Sequence, residues 1–142
     1  MTPLDALYQA LPLASPHVRA GVVSNCGGMA SAQVDIERAP AYELVDATPP
    51  PRPERNEDQE IVDFCVTHVA QGIEAELAEL FGELPAVRVT LRRVHPHWVD
   101  ANEMVNRCAG RGVIRLTLTE VVAGLPAPAT TFSHRVTRLP RN

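Results

Sequence analysis

The chain has no lysine: all 13 of its basic residues are arginine. The codon bias of a GC-rich genome accounts for that as well as any chemistry does, so the absence by itself selects no function. Cysteine is scarce, with only Cys26, Cys65 and Cys108, an odd number and widely separated. No CxxC pair is present, which removes a disulfide framework and a zinc knuckle and leaves ordinary reduced thiols. No apolar run approaches the roughly 20 residues that cross a bilayer, so no membrane partner is expected. Residues 1–10 lack the basic start and apolar stretch of a secretory signal, and a cytoplasmic location is the expectation. No glycine-rich phosphate loop stands between a strand and a helix, which argues against a nucleotide. No Ser-His-Asp or Cys-His spacing is recognisable. Neither catalysis nor a cofactor is expected.

What is present suits one domain with a real core: 142 residues, 45% hydrophobic and 21% charged. The formal charge of −4 is unevenly spread. Residues 1–88 hold 14 acids and 5 arginines, whereas residues 89–142 hold 3 acids and 8 arginines. Either the C-terminal part meets an anionic partner or the two halves neutralise each other in the fold.

Residues 1–17, with Pro3, Pro12 and Pro16, read as an irregular lead-in with one helical turn at most, over Leu4–Gln9. Val18–Ser24 is the first strand. Asn25-Cys26-Gly27-Gly28 is a turn signal, and Ala32–Glu37 alternates with period two, so the pair forms a hairpin. Tyr42–Val45 offers a short third strand. Thr48–Arg55, with four prolines, is a semi-rigid connector that cannot join a sheet or a helix interior. Asn56-Glu57-Asp58 caps a long amphipathic helix over Gln59–Leu80. In that helix Val62, Cys65, Val66, Val69, Ile73, Leu77 and Leu80 recur at steps of three and four. Gly72 within it implies close packing against the sheet, and Glu74, Glu76, Glu79 and Glu83 read as its solvated faces. Gly82 and Pro85 end it.

Residues 87–94 form the next strand, and the stretch His95–Met104 follows as a tight exposed tip. It carries two histidines and the only tryptophan, Trp98. Trp98 either folds back onto the scaffold or meets a partner. Asp100 or Asn102 caps the helix that leaves the tip, with Asp100 preferred. This last helix, from about Ala101, turns Met104, Val105, Cys108 and Ala109 inward. Arg107, Arg111 and Arg115 stand at spacings of four, a basic ridge suited to phosphates if exposed. Past Gly110 and Gly112, Val113–Thr119 reads equally as continued helix or as a strand. Residues 124–142, with Pro126, Pro128 and Pro140, read as a basic tail.

His95-x-His97 on a strand would put both rings on one face and, with Asp100, could begin a metal site or an acid–base pair. A third ligand at fixed local spacing is lacking, although His17, His134 or Cys26 could converge in space; no metal is expected.

Taken in order, several segments resemble domain IV of translation elongation factor G, the lobe that reaches into the ribosomal decoding site during translocation. Ser24–Pro40 is similar to that family's first tip loop and following strand. Val69-Ala70-Gln71-Gly72-Ile73-Glu74 is similar to its V-x-x-G-I helix segment, and Leu84–Leu91 to its strand entered through a proline. Most specific is His97-Trp98-Val99-Asp100-Ala101-Asn102-Glu103-Met104, similar to its H-x-V-D-S-S-E-M second tip loop.

These segments lie within residues 18–123. The resemblance implies an α+β two-layer sandwich: a mostly antiparallel four-stranded sheet with two helices on one face, in the order β-β-β-α-β-α. It also implies a ribosome- or RNA-contacting module. His97 corresponds to the histidine presented at the decoding site, and Asn25, Gly27 and Gly28 belong to the neighbouring tip. His95 and Trp98 are suited to hydrogen-bonding or stacking on unpaired bases, and Arg92, Arg93, Arg107 and Arg111 to phosphates. The family's GTPase sequences are absent, and Met29 replaces the basic residue that follows Gly-Gly there. A protein partner or self-association is the other reading, since a fold does not set its use.

Overall fold

The computed structural model describes residues 1–21, 28–126 and 134–140. Its architecture is α+β: a six-stranded sheet and three α-helices. Helix α1 spans Pro3–Ala10, β1 Leu13–Ala14, β2 Val18–Gly21, β3 Met29–Arg38 and β4 Glu43–Asp46. Helix α2 spans Gln59–Phe81, β5 Val87–Arg93, α3 Glu103–Val121 and β6 Val136–Arg138. No helix among the described residues is long and apolar enough to cross a membrane.

Strand β3 is the spine. Its period-two pattern buries Ala30, Ala32, Val34 and Ile36, and both of its edges are paired. On one side it runs antiparallel to β5, with Ile36 opposite Val89 and an irregularity between Gln33 and Val34. On the other it pairs with β2, Val18 opposite Ala32, and with β1, Leu13 opposite Ile36. The hairpin expected between residues 18 and 37 is therefore present as a β2–β3 ladder; the turn expected at Asn25–Gly28 lies, except for Gly28, outside the described residues. Strand β4 joins the far side of β5 in parallel, because the connector and α2 return the chain in the same direction.

The sheet is larger than the four strands expected, for two reasons. The lead-in contributes a capped helix and a strand: Thr2 and Asp5 form a reciprocal capping box on α1. This helix is anchored by the fully buried Leu7 and by the Tyr8 hydroxyl, which accepts from the Ala86 amide at 3.0 Å. At the other end β6 pairs antiparallel with β2, so residues 136–138 are part of the sheet rather than a tail.

Helix α2 starts at Asp58, whose carboxylate accepts from the Ile61 amide at 2.9 Å. It ends at Gly82, in the left-handed conformation at φ 77°. Helix α3 runs unbroken through residues 113–119, which settles the helix-or-strand ambiguity; the apparent alternation reflects burial of Val113, Ile114, Thr117 and Leu118 together. Gly72 packs against α3 and not, as expected, against the sheet: a Cβ there would lie 2.1 Å from the Arg107 carbonyl oxygen. Gly110 answers it from α3, where a Cβ would lie 2.1 Å from the Val69 carbonyl oxygen. The two glycines let the helix backbones touch and thereby set where the N-terminus of α3, and the tip before it, stand.

Candidate functional site: the tip after β5

Strand β5 ends at Arg93, so His95 and His97 lie beyond the sheet rather than on a strand. The chain then turns tightly. The His97 amide donates to the His95 carbonyl at 2.9 Å and the Ala101 amide to the His97 carbonyl at 3.0 Å. This brings the two imidazoles into a near-parallel stack, centroids 5.5 Å apart and planes 16° apart. Trp98 is 48% and Val99 87% exposed. About half of Trp98 is open to solvent.

Asp100 does not cap α3. Asn102 does, its side-chain oxygen accepting from the Val105 amide at 2.8 Å. The Asp100 carboxylate points back into the tip instead, with Oδ2 2.9 Å from His95 Nε2 and 3.3 Å from His97 Nδ1. The Asp100 amide in turn donates to His97 Nδ1 at 3.3 Å. Asp100 therefore sets both rings. His95, His97 and Asp100 each place one potential ligand atom within 4.8 Å of the others. From beneath, the buried Cys65 thiol donates to the His95 carbonyl at 3.5 Å. Burial pushes that thiol up to about 11, against the opposing hydrogen bond from Asn106, so at neutral pH it is a protonated donor.

Gly28, just before β3, packs against the tip. Its φ is 84°, and a Cβ would lie 2.4 Å from the Asp100 carbonyl oxygen. The Met29 amide donates to that same oxygen at 3.0 Å. Gly28 is thus the close contact between the start of β3 and the tip, a role that requires glycine. Asn25 and Gly27 lie outside the described residues.

The arginines divide sharply. Arg92 Nε bonds Asp35 at 2.6 Å. Arg107 bonds Gln71 at 3.0 Å and approaches Glu103 at 3.5 Å. Arg111 and Arg115 grip Glu76, each at 2.8 Å, with Glu79 beside them. Glu76 is fully buried, not solvated as its place among four glutamates suggested. At Arg111 and Arg115 the expected basic ridge is therefore a clasp between α2 and α3, and part of the charge asymmetry is cancelled there. Arg93 is exposed at the end of β5. Met104, expected inward, is 56% exposed.

Beside the tip lies a cavity of about 440 Å³ whose wall includes His17, Arg52, Arg55, Arg93, His95 and His97. Sequence reading missed Arg52 and Arg55 because nothing local shows that the proline connector folds back to this spot. His17 has a buried Nε2 with no hydrogen-bond partner among the described residues. Desolvation lowers its pKa, and the nearby positive charges of Arg93 and His95 act in the same direction.

No protein-family model matches this chain, and no curated protein does. Among solved structures the chain is similar to a protein from Thermus thermophilus, with a TM-score of 0.58 at 11% sequence identity. The similarity covers 77% of this chain and 16% of that one, so the chain spans a small part of its length. At that identity the likeness is one of fold.

Proposed function

We propose that this chain is a non-catalytic binding module whose tip engages ribosomal or other structured RNA. The tip of residues 95–100, together with Gly28 and Arg93, would be the contact surface, on a two-layer domain of the elongation factor G domain IV type. The observation that carries the reading is the pre-set tip. Two imidazoles held by Asp100 and a half-exposed indole stand clear of the sheet. Rings held in this way can stack on or hydrogen-bond to unpaired bases without first being ordered. The order and content of the tip-loop and helix segments in the sequence support the same reading.

With most of the described arginines, Arg52 of the cavity among them, engaged in ion pairs and a net charge of −4, the binding would rest on local contacts near Arg93 and Arg55 rather than on a broad basic face. Co-sedimentation with ribosomes across a salt series tests this. Pelleting is expected to fall as salt rises and to weaken when His97 is replaced by alanine. Pelleting absent even at low salt would overturn the reading. A protein partner is the second reading, favoured by the apolar exposure of Trp98, Val99 and Met104 together. It expects binding that is insensitive to salt and to His97→Ala but lost on Trp98→Ala.

A further inference from the structure

We propose that His95, His97 and Asp100 form a binding site for one divalent transition-metal ion of the zinc class, independent of any RNA contact. One ligand atom from each residue lies within 4.8 Å of the other two, a property of no other group of three such residues among those described. The separations of Asp100 Oδ2 from His95 Nε2 and His97 Nδ1, 2.9 and 3.3 Å, match the spacing of adjacent ligands around one ion. Bonds of about 2.0–2.2 Å at tetrahedral to octahedral angles put neighbouring donors about 2.8–3.6 Å apart.

The hydrogen bonds point the same way. His97 Nδ1 accepts from the Asp100 amide, so in the neutral ring it carries a lone pair and no proton. That lone pair lies 3.3 Å from a carboxylate oxygen, which is also an acceptor. Either a ring proton or a cation between Nδ1 and Oδ2 satisfies both acceptors; a cation there takes the lone pair from the Asp100 amide, and His95 Nε2 approaches the same oxygen. Two imidazoles and one carboxylate select a borderline ion over calcium or magnesium, which prefer all-oxygen sites.

Binding requires ring rotation rather than movement of the backbone: the near-parallel imidazole planes must tilt toward each other so that both lone pairs meet the ion. All three ligands lie in a six-residue turn closed by backbone hydrogen bonds at His97 and Ala101, with the Asp100 carbonyl held by the Met29 amide. Side-chain exposures of 30%, 49% and 31% for His95, His97 and Asp100 leave the cluster reachable from solvent. Three protein ligands would leave the remaining positions to water or to an incoming group, beside the arginine-bearing cavity of which His95 and His97 form part. A bound ion would join the turn across its width and hold Trp98 and Val99 outward.

Zinc and cobalt titrations of the full chain alone, without RNA, test the site. The wild type should take up one equivalent of Zn²⁺ by equilibrium dialysis. Its Co²⁺ form should show visible d–d bands without a thiolate charge-transfer band in the near ultraviolet. Loss of even an outer hydrogen-bond partner of a metal ligand weakens binding about ten- to a hundredfold. His95→Ala, His97→Ala and Asp100→Ala should therefore each weaken uptake by at least about tenfold, while His68→Gln, on α2, leaves it unchanged. Far-UV circular dichroism checks that each variant is folded, and the two histidine variants cover the case in which Asp100→Ala loosens the turn. Uptake absent at about 100 μM metal, far above the concentration a specific site needs, would overturn the proposal. So would uptake that survives all three substitutions, or a thiolate band showing that cysteine is the ligand.

Discussion

Glu76 shows how far one side chain's role can depart from its place in a pattern. It is one of four glutamates expected on the solvated faces of α2, yet it is fully buried and held by two arginines from α3. A carboxylate in that position is tolerated because both oxygens are satisfied by guanidinium donors. Glu76→Ala leaves two partly buried arginines with only Glu79 beside them, and we expect a loss of about 3 kcal/mol in denaturant unfolding. Glu74→Ala, on the same helix, should change little. His17 makes the pH-dependent case. The unfolded chain takes its proton near 6.5, while desolvation and the charges of Arg93 and His95 lower that value in the fold. The unfolded state therefore binds more protons between the two values, and stability falls as pH drops from about 6.5 toward the lower one. Above that window the contribution is complete. Denaturation midpoints taken from about pH 7.5 to about pH 5 should show a shallower decline in His17→Gln than in the wild type.

At the scale of elements, the α2–α3 contact decides where the tip is held. Gly72 and Gly110 each face a carbonyl of the opposite helix at a distance that admits no Cβ. Gly72→Ala or Gly110→Ala must push two backbones apart, and the expected loss is about 2 kcal/mol despite alanine's better helix propensity. The displaced α3 would carry the tip with it. Thermal unfolding gives the first effect, and the histidine side-chain resonances of the tip give the second. The start of α3 shows a neater division of labour than the sequence suggests: Asn102 caps the helix, which frees Asp100 to set the two imidazoles. Asn102→Ala should cost about 1 kcal/mol of stability.

Across the molecule, segments toward both ends of the chain add strands to the sheet. Strand β6 covers the outer edge of β2, and Val136 sits over Gly112 so closely that a Cβ there would meet it at 2.6 Å. Arg138 adds an ion pair to Glu120 of α3. Ending the chain at residue 133 would bare β2 as an edge strand. The truncated protein should unfold at lower denaturant and self-associate, which sedimentation velocity can follow. The same scale explains the charge. Arg92, Arg111 and Arg115 of the basic half bind Asp35, Glu76 and Glu79 of the acidic half. Three arginines of the basic half are thus neutralised by acids of the other half.

Local periodicity and chain-local chemistry were enough to place several parts of this fold in advance. The alternation of β3 and the steps of three and four in α2 were legible because burial imprints them directly. So were the stop at Gly82 and the exposed turn after β5. Other features emerged only once the chain was packed. Strand pairing at the two chain ends, the burial of Glu76 and the meeting of Gly72 with Gly110 all depend on partners distant in the chain, which no local pattern encodes. The turn of the Asp100 carboxylate away from α3 toward His95 and His97 has the same origin. Two acceptable caps stood close together in the chain, and the packed loop chose between them.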